Sequence, residues 1–455
     1  MKIISLFSGC GGLDLGFKNA GFDVIWANEY DTTIHPTYRL NHPQTELCTK
    51  DIRDVCSADI PDCDGIIGGP PCQSWSLGGK GLGLEDDRGK LMYEYIRIVS
   101  EKAPKFFLME NVPGMLTSRH QQAFTHFVKL FQSAGYNVKY ELINAADFKI
   151  PQERLRLIIV GIRKDVDVEY LFPSKTSGKR ITLFQAIGDL NMVPRAYNKE
   201  NVGKSDGMLL NHDYFTGAFD SKYMARNRVR GWNELSFTIQ AQAKNAPLHP
   251  QAPKMLYVSQ NVRKFVPGYE SLYRRLSVRE CARIQTFPDD FRFEYKHVED
   301  GYKMVGNAVP PRLAYYLGMS VKRCFEAFPF IQQEALALIG YVKSDADFGT
   351  IRKEMVYYVR GGNRTGAIQY GQLVKPIKWL LLHRKTKCVL YELASSKAIA
   401  CEKKELVQMG FKPKGNEYWL FKLEKEIEEE DIRTLILKQV SRLGKSPQIV
   451  SIHKK

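Results

Sequence analysis

Over residues 1 to about 165 the chain alternates short, β-branched apolar runs with stretches whose apolar residues recur at helical spacing. Residues 2–7, 23–28, 63–68, 105–109, 136–142 and 157–162 read as strands. Between them, residues 13–20, 90–100 and 123–134 carry apolar positions three and four apart, the mark of a helix with one buried face. Strand and helix in alternation predict an α/β fold: a mostly parallel sheet with helices on both faces. From about 170 to 275 the texture changes. Asn, Gly, Pro, Arg and Tyr dominate there, and a loop-rich binding domain is expected. Helical patterns return at 278–287 and 308–325. Beyond 330, residues 356–359, 379–382 and 417–421 read as strands, and 424–437 as a helix that opens with a solvated acidic run. The expected domains are 1–170, 171–277, a return segment 278–328 that completes the first, and an accessory α+β domain 329–455.

Composition narrows the class. With 44% hydrophobic and 11% aromatic residues the chain can bury a large core. A formal net charge of +16 points to a polyanionic partner, and residues past 330 carry more than half of it. Nine scattered cysteines without a Cys-x-x-Cys pair argue against a disulfide framework and a zinc site, and for a reducing compartment. No apolar run approaches membrane-spanning length, so a cytoplasmic protein without a membrane partner and without a metal is expected.

Candidate chemistry gathers where the strands should end. Phe7-Ser8-Gly9-Cys10-Gly11-Gly12 links the first strand to a helix, and glycines there let a ligand approach the backbone closely. The spacing does not match the dinucleotide fingerprint Gly-x-Gly-x-x-Gly. Glu29 stands at the end of the second strand, where an acid commonly accepts both hydroxyls of a ribose. Asp51-Ile52 lies where a third strand would end, suited to the amine and face of an adenine. Gly68-Gly69-Pro70-Pro71-Cys72-Gln73-Ser74-Trp75-Ser76 holds one thiol on a loop stiffened by two prolines. A nucleophile held at a fixed attack angle is one reading; a buried cysteine beside a tight turn is the other.

Together these motifs resemble the DNA (cytosine-5)-methyltransferases of bacterial restriction–modification systems. The resemblance runs from Ile3 to about Lys322, in order. It joins the motifs above to Glu110-Asn111-Val112, Gln152-x-Arg154-x-Arg156, Arg279-Glu280-Cys281-Ala282-Arg283 and Gly301-Tyr302-Lys303-Met304-Val305-Gly306-Asn307-Ala308-Val309. It implies a Rossmann-like catalytic domain with a target-recognition domain, and S-adenosyl-L-methionine as cofactor, leaving as S-adenosyl-L-homocysteine. It implies that Cys72 adds to carbon-6 of a flipped-out cytosine, that Glu110 holds a proton at ring nitrogen 3, and that Arg154 and Arg156 orient Glu110 and the base. Phe7, Gly9, Gly11 and Leu13 would line the methionine side of the cofactor and Glu29 its ribose. Tyr30 and Ile52 would sandwich the adenine, with Asp51 on its amine, and Pro71, Leu91, Asn307 and Val309 completing the pocket.

For DNA, Gln73 and Ser76 would fill the gap or hold phosphates. Arg226, Arg228 and Arg230, at alternate positions, would face one way and, with Thr238 and Lys244, read bases. This region is similar to the subgroup that methylates GGCC, but departs from it at Gln242-Ala243-Lys244-Asn245. Double-stranded DNA, bound by a monomer, and a cognate restriction endonuclease are the implied partners. A transfer-RNA methyltransferase and a silent DNA-binding protein are the rival readings.

Overall fold

The structure is a computed structural model. It describes the chain except residues 72–86, 167, 191–193, 198–208, 327–334, 361–376, 385–386, 395–398, 414–416, 428–435, 437–447 and 453–455. The chain divides into two compact units, Met1–Phe325 and Glu326–Lys455.

The first unit is built on a seven-stranded sheet. In chain order its elements are β1 (Lys2–Leu6), α1 (Gly12–Asn19), β2 (Asp23–Asn28), α2 (His35–Asn41), β3 (Glu46–Cys48), β4 (Gly65–Gly68), α3 (Asp87–Lys102), β5 (Phe106–Asn111), α4 (Gln121–Ser133), β6 (Tyr136–Asn144) and β7 (Leu155–Arg163). The spatial order is β3-β2-β1-β4-β5-β7-β6. Neighbours from β3 to β5 pair in parallel, and only β7 runs against its neighbours. β4 and β5 are buried at every position, as strands covered on both faces must be. Phe107, near the start of β5, stacks on Phe131 of α4 with ring centroids 4.2 Å apart. The alternation in the sequence therefore translates directly into the sheet.

After β7 the chain is irregular, with α5 (Leu183–Ile187), β8 (Arg195–Ala196), β9 (Asp213–Tyr214), β10 (Leu256–Ser259) and β11 (Val262–Lys264) its main regular pieces. It has its own small core of Tyr223, Val229, Leu248, Ala252, Met255 and Tyr273. Three helices follow: α6 (Val278–Ile284), α7 (Val298–Asn307) and α8 (Pro311–Glu326). A capping box starts α6, with Ser277 Oγ accepting the Glu280 N–H and Glu280 accepting the Ser277 N–H. α7 is not evident in the sequence, because Gly301 and Gly306 weaken helix propensity. Packing overrides it: Val298, Tyr302 and Val305 are buried, and a Cβ on Gly306 would lie 2.3 Å from the Gln240 backbone.

The second unit contains β12 (Ala335–Tyr341), α9 (Asp345–Glu354), β13 (Val356–Arg360), β14 (Ile377–Arg384), β15 (Lys387–Leu393), β16 (Ile399–Glu402), α10 (Lys403–Gln408), β17 (Glu417–Ile427) and β18 (Gln448–Ile452). They form a seven-stranded sheet in the order β13-β17-β15-β14-β12-β18, with β16 on β17. The helix expected over 424–437 gives way at its start to β17, which pairs with β15 as far as Ile427. Phe421 and Leu423 face the core, and the charged positions pair with other elements: Glu426 with Arg352 of α9 (2.7 Å) and Lys425 with Glu392 of β15 (3.3 Å). Aromatic side chains of this unit also turn inward, Trp379 and Tyr357 both being buried.

Candidate active site

The carboxyl ends of β4 and β5 bring the chemistry together. β5 ends in Glu110-Asn111, both buried. Asn111 Nδ2 donates to the Pro70 carbonyl (3.3 Å), and its Oδ1 accepts the Val112 N–H (2.9 Å). The loop that leads to Cys72 is thereby tied to the strand that carries the carboxylate. Glu110 Oε2 lies 3.4 Å from where a Cβ on Gly69 would be, so this carboxylate borders the same loop. Cys72, Gln73 and Ser76 lie outside the described residues; Pro71, the last before them, is half-buried.

Only one of the two expected arginines reaches Glu110. Glu110 sits opposite Ile158 in the antiparallel β5–β7 pair, so Arg156 is its diagonal neighbour on the same face. Arg156 Nε meets Glu110 Oε1 at 2.7 Å, with both side chains mostly shielded. Arg154, two residues further back, falls beyond the start of β7. Its guanidinium is almost fully buried and donates to the carbonyls of Ile239 (3.0 Å), Gly306 (3.0 Å) and Ala308 (2.9 Å). Arg154 thus clamps the segment at Ile239 and the end of α7 onto the start of β7 instead of touching Glu110.

Gln152 extends this clamp, a role that sequence reasoning misses. Its Oε1 accepts the Ile239 N–H (2.8 Å), and its Nε2 donates to Gln285 Oε1 (2.8 Å). Gln285 in turn donates to the Val305 carbonyl (2.8 Å). The motif Gln152-x-Arg154-x-Arg156 was the available signal: alternate long polar side chains at a strand start, too many for a surface face.

At the amino half of the sheet, the turn after β1 holds Phe7, Gly9 and Gly11 at φ of 54°, 56° and 86°. Gly11 is required: a Cβ there would meet His42 Nε2 at 2.1 Å. Gly9 faces open space, and its N–H donates to Glu29 Oε2 (2.9 Å), while Glu29 Oε1 accepts the Asp31 N–H (2.8 Å). Burial pushes the Glu29 carboxyl above its usual range despite those two bonds. Tyr30 beside it is 66% exposed. Lys303 of α7 reaches Asp31 Oδ2 (2.9 Å) and Thr33 (2.8 Å), and so ties the return helices to this end. An exposed Tyr30, an open turn at Gly9 and a fixed carboxylate at Glu29 fit a ribose and an adenine of an adenosyl cofactor.

The remaining expected pocket residues are less uniform. Asp51 does stand just after β3, but Arg53 forks onto both its oxygens (2.9 and 2.5 Å) and lowers its pKa. Ile52 is buried in the sheet's core, so it presents no open face opposite Tyr30. Leu13 and Val309 are buried, Phe7 and Leu91 pack against the same core as Ile52, and Asn307 is exposed at the end of α7.

Behind the turn lies a buried network. Ser5 Oγ and Tyr38 Oη donate to the two oxygens of Asp14 (2.6 Å each), and Tyr38 stacks on His42 at 4.6 Å. Burial raises the Asp14 carboxyl to about 6 from 3.8, the two hydroxyls opposing it. A carboxyl raised in the folded state favours folding most below about 3.8, and that contribution is lost as pH rises past about 6. The stability of wild type relative to Asp14→Asn should therefore fall by about 2 kcal/mol between pH 4 and pH 8. Denaturant titrations across that range check it; a constant difference would remove Asp14 as the titrating group.

The residues expected to read bases do not form one row. Residues 226–230 are not a strand, apart from a bridge between Val229 and Leu248. Arg226 is exposed, whereas Arg228 is buried, lies 4.6 Å over the Tyr223 ring and donates to the Tyr223 carbonyl (3.0 Å). Arg230 pairs with Glu153 (2.7 Å) and covers Phe237. Arg226, Arg228 and Thr238 instead line a cavity of about 270 Å³ with Glu153, Asn227 and Gln240. Thr238 Oγ1 donates to the Glu153 carbonyl. Lys244 is exposed on the turn Ala243–Asn245, beside the cavity-lining Asn245. Glu153 lies between Gln152 and Arg154, so cavity and clamp share one short segment. Among the described residues there is no group of three or more His, Cys, Asp or Glu placed to hold a metal, and no helix long and apolar enough to cross a membrane.

Comparison with known proteins matches this arrangement to one family. The family model described as C-5 cytosine-specific DNA methylase matches residues 1–323. Type II methyltransferase M.FnuDI of Fusobacterium nucleatum is 52% identical over 326 residues, covering 71% of this chain and 94% of that protein. M.NgoPII of Neisseria gonorrhoeae is 50% identical over 333 residues, covering 72% and 96%. M.MthTI of Methanothermobacter thermautotrophicus is 50% identical over 326 residues, covering 72% and 98%. Among solved structures, a DNA modification methyltransferase encoded within an E. coli prophage shares the fold, with a TM-score of 0.55 at 23% identity, covering 72% of this chain and 99% of that one. With the ordered sheet, the Glu110–Arg156 pair and the glycine turn already in hand, these matches establish that the chain belongs to the C-5 cytosine-specific DNA methylase family.

Proposed function

We propose that this restriction–modification-type methyltransferase acts on one cytosine of duplex DNA that is flipped out of the stack and attacked by Cys72. The observation that carries the reading is Glu110, held by Arg156 and bordering the loop that Asn111 ties through Pro70. S-adenosyl-L-methionine, when bound, supplies an electrophilic methyl group. Glu29 would hold its ribose, Tyr30 would cover its adenine, and the turn at Phe7, Gly9 and Gly11 would border its methionine end.

The chain's own groups do the activation. A free thiol has a pKa of about 8.5, so the thiolate is the minor form at neutral pH and would benefit from the backbone restriction that Pro70 and Pro71 impose just before it. Addition of Cys72 to ring carbon-6 sends negative charge to ring nitrogen 3. Glu110, anchored at Oε1 by Arg156, turns its other oxygen to that nitrogen, holds the proton there and accepts from the exocyclic amine. Carbon-5 then carries the electron density that takes the methyl group. Loss of the carbon-5 proton to a water molecule expels the thiolate and restores the ring. Flipping the base costs a few kcal/mol, met by contacts elsewhere on the duplex.

The cavity around Arg226, Arg228 and Thr238 is the candidate base-reading surface, with Lys244 beside it and Gln73 and Ser76 acting from the loop. GGCC is the candidate recognition sequence, and a cognate restriction endonuclease the functional partner. The protein would work as a cytoplasmic monomer. Bisulfite sequencing of plasmid DNA from cells expressing the chain tests this: protected cytosines should fall in one short sequence, the inner cytosine of GGCC. Methyl transfer to transfer RNA and none to duplex DNA would overturn the reading.

A further inference from the structure

Between the candidate base-reading cavity and α6 the chain forms a two-stranded ribbon, β10 and β11, turning at Gln260-Asn261 with Asn261 at φ 59°. Strand side chains alternate between faces, and a stable two-stranded ribbon ordinarily lays one face on a core. Here every residue of β10 is exposed: Leu256, Tyr257 and Val258 at 37%, 67% and 51%, with Val262 of β11 at 44%. Neither face of β10 is covered by the other described residues. A contiguous exposed apolar patch of this kind marks an interaction surface.

Two further observations identify the occupant. The base of the ribbon is anchored. Met255 is buried, its N–H donates to Asn227 Oδ1 (3.0 Å), Phe265 stacks on Tyr273 at 4.2 Å, and β11 packs on the turn Tyr223–Ala225. Asn227 stands between Arg226 and Arg228, so the ribbon projects from the segment that carries the candidate base-reading arginines. The charge is also one-sided: residues 251–269 contain Lys254, Arg263 and Lys264 and no Asp or Glu. Lys254 is engaged by Glu234 (3.2 Å). Arg263 lies 4.3 Å over the Tyr257 ring, and neither it nor Lys264 has a carboxylate partner among the described residues.

We infer that the β10–β11 ribbon is a DNA-docking element separate from the base-reading cavity, lying in a groove of the duplex beside the target. The grooves of duplex DNA admit a two-stranded ribbon. Arg263 and Lys264 meet phosphates, and Leu256, Tyr257 and Val258 meet sugars and base edges. The inference rests on duplex DNA being the substrate.

The test measures DNA binding by wild type and by Arg263→Glu/Lys264→Glu, on one duplex that just spans the recognition sequence and one extended on both sides, across a salt series. For the extended duplex the slope of log affinity against log salt should be smaller in the variant by about 1.8, at about 0.9 for each phosphate left unneutralised. The extra affinity that extension gives wild type should disappear, and methylation of the short duplex should persist. Equal slopes and equal gain from extension in both proteins would overturn the ribbon. A wild-type dimer that Tyr257→Asp dissociates without changing DNA affinity would overturn it in favour of self-association. Failure of wild type to methylate any duplex would count against the functional reading instead, since the binding slopes are measured independently of it.

Discussion

Glu110→Gln should lower the single-turnover rate of methyl transfer by about 10²–10⁴-fold, at saturating DNA and cofactor, while leaving cofactor binding unchanged. The amide preserves the shape of the carboxyl and can still accept from Arg156 Nε. It cannot hold and return a proton at ring nitrogen 3, which is the step assigned to Glu110. Arg156 acts through Glu110, touching it at 2.7 Å. Arg156→Lys removes the guanidinium's fixed fork, so it should cost activity on its own. The double variant should then be no slower than Glu110→Gln alone, because two residues that act as one unit do not add. Multiplying losses would mean that Arg156 has a separate contact with the base.

Arg154→Met should behave differently. It leaves three carbonyls, those of Ile239, Gly306 and Ala308, without their buried donor. At roughly 1.5–3 kcal/mol for a hydrogen bond to a charged group, a stability loss of about 3 kcal/mol or more is expected. The same carbonyls belong to the segment proposed to read DNA and to the end of α7, so KM for DNA and for cofactor should both rise. At a temperature where the variant is folded, its maximal rate should fall far less than that of Glu110→Gln. Thermal denaturation alongside steady-state kinetics separates the cases. Unchanged stability with a chemical step as slow as in Glu110→Gln would make Arg154 a group that touches the reacting base.

That contrast marks where the sequence was legible. The run Asp23–Asn28 is a strand from end to end, because its pattern of apolar residues is local and packs directly between neighbouring strands. The site motifs stood at strand ends for the same reason: a βα turn has a local signature of glycine, proline and acid. Partners across strands had no such signature. Arg154 and Arg156 look equivalent in sequence, and only the register that sets Glu110 opposite Ile158 gives one the carboxylate and the other the carbonyls. The row of Arg226, Arg228 and Arg230 dissolved likewise, because Tyr223 and Glu153 claim two of them. β3 and α2 were too short to show a period; β17 was legible over 417–421, but its end at 424–427 read as a helix because its acidic run looks solvated, whereas Glu426 pairs with Arg352 on another element.

The central claim is that Cys72 joins the base covalently while Glu110 holds its proton. Duplex DNA carrying 5-fluorocytosine at the target position, incubated with protein and S-adenosyl-L-methionine, tests it most directly, since fluorine at carbon-5 blocks the elimination that would free the thiol. Wild type should yield a protein–DNA complex that survives denaturation, and Cys72→Ser should bind the same duplex without forming it. A wild type that methylates ordinary DNA yet forms no such complex, or a complex that persists in Cys72→Ser, would contradict the account.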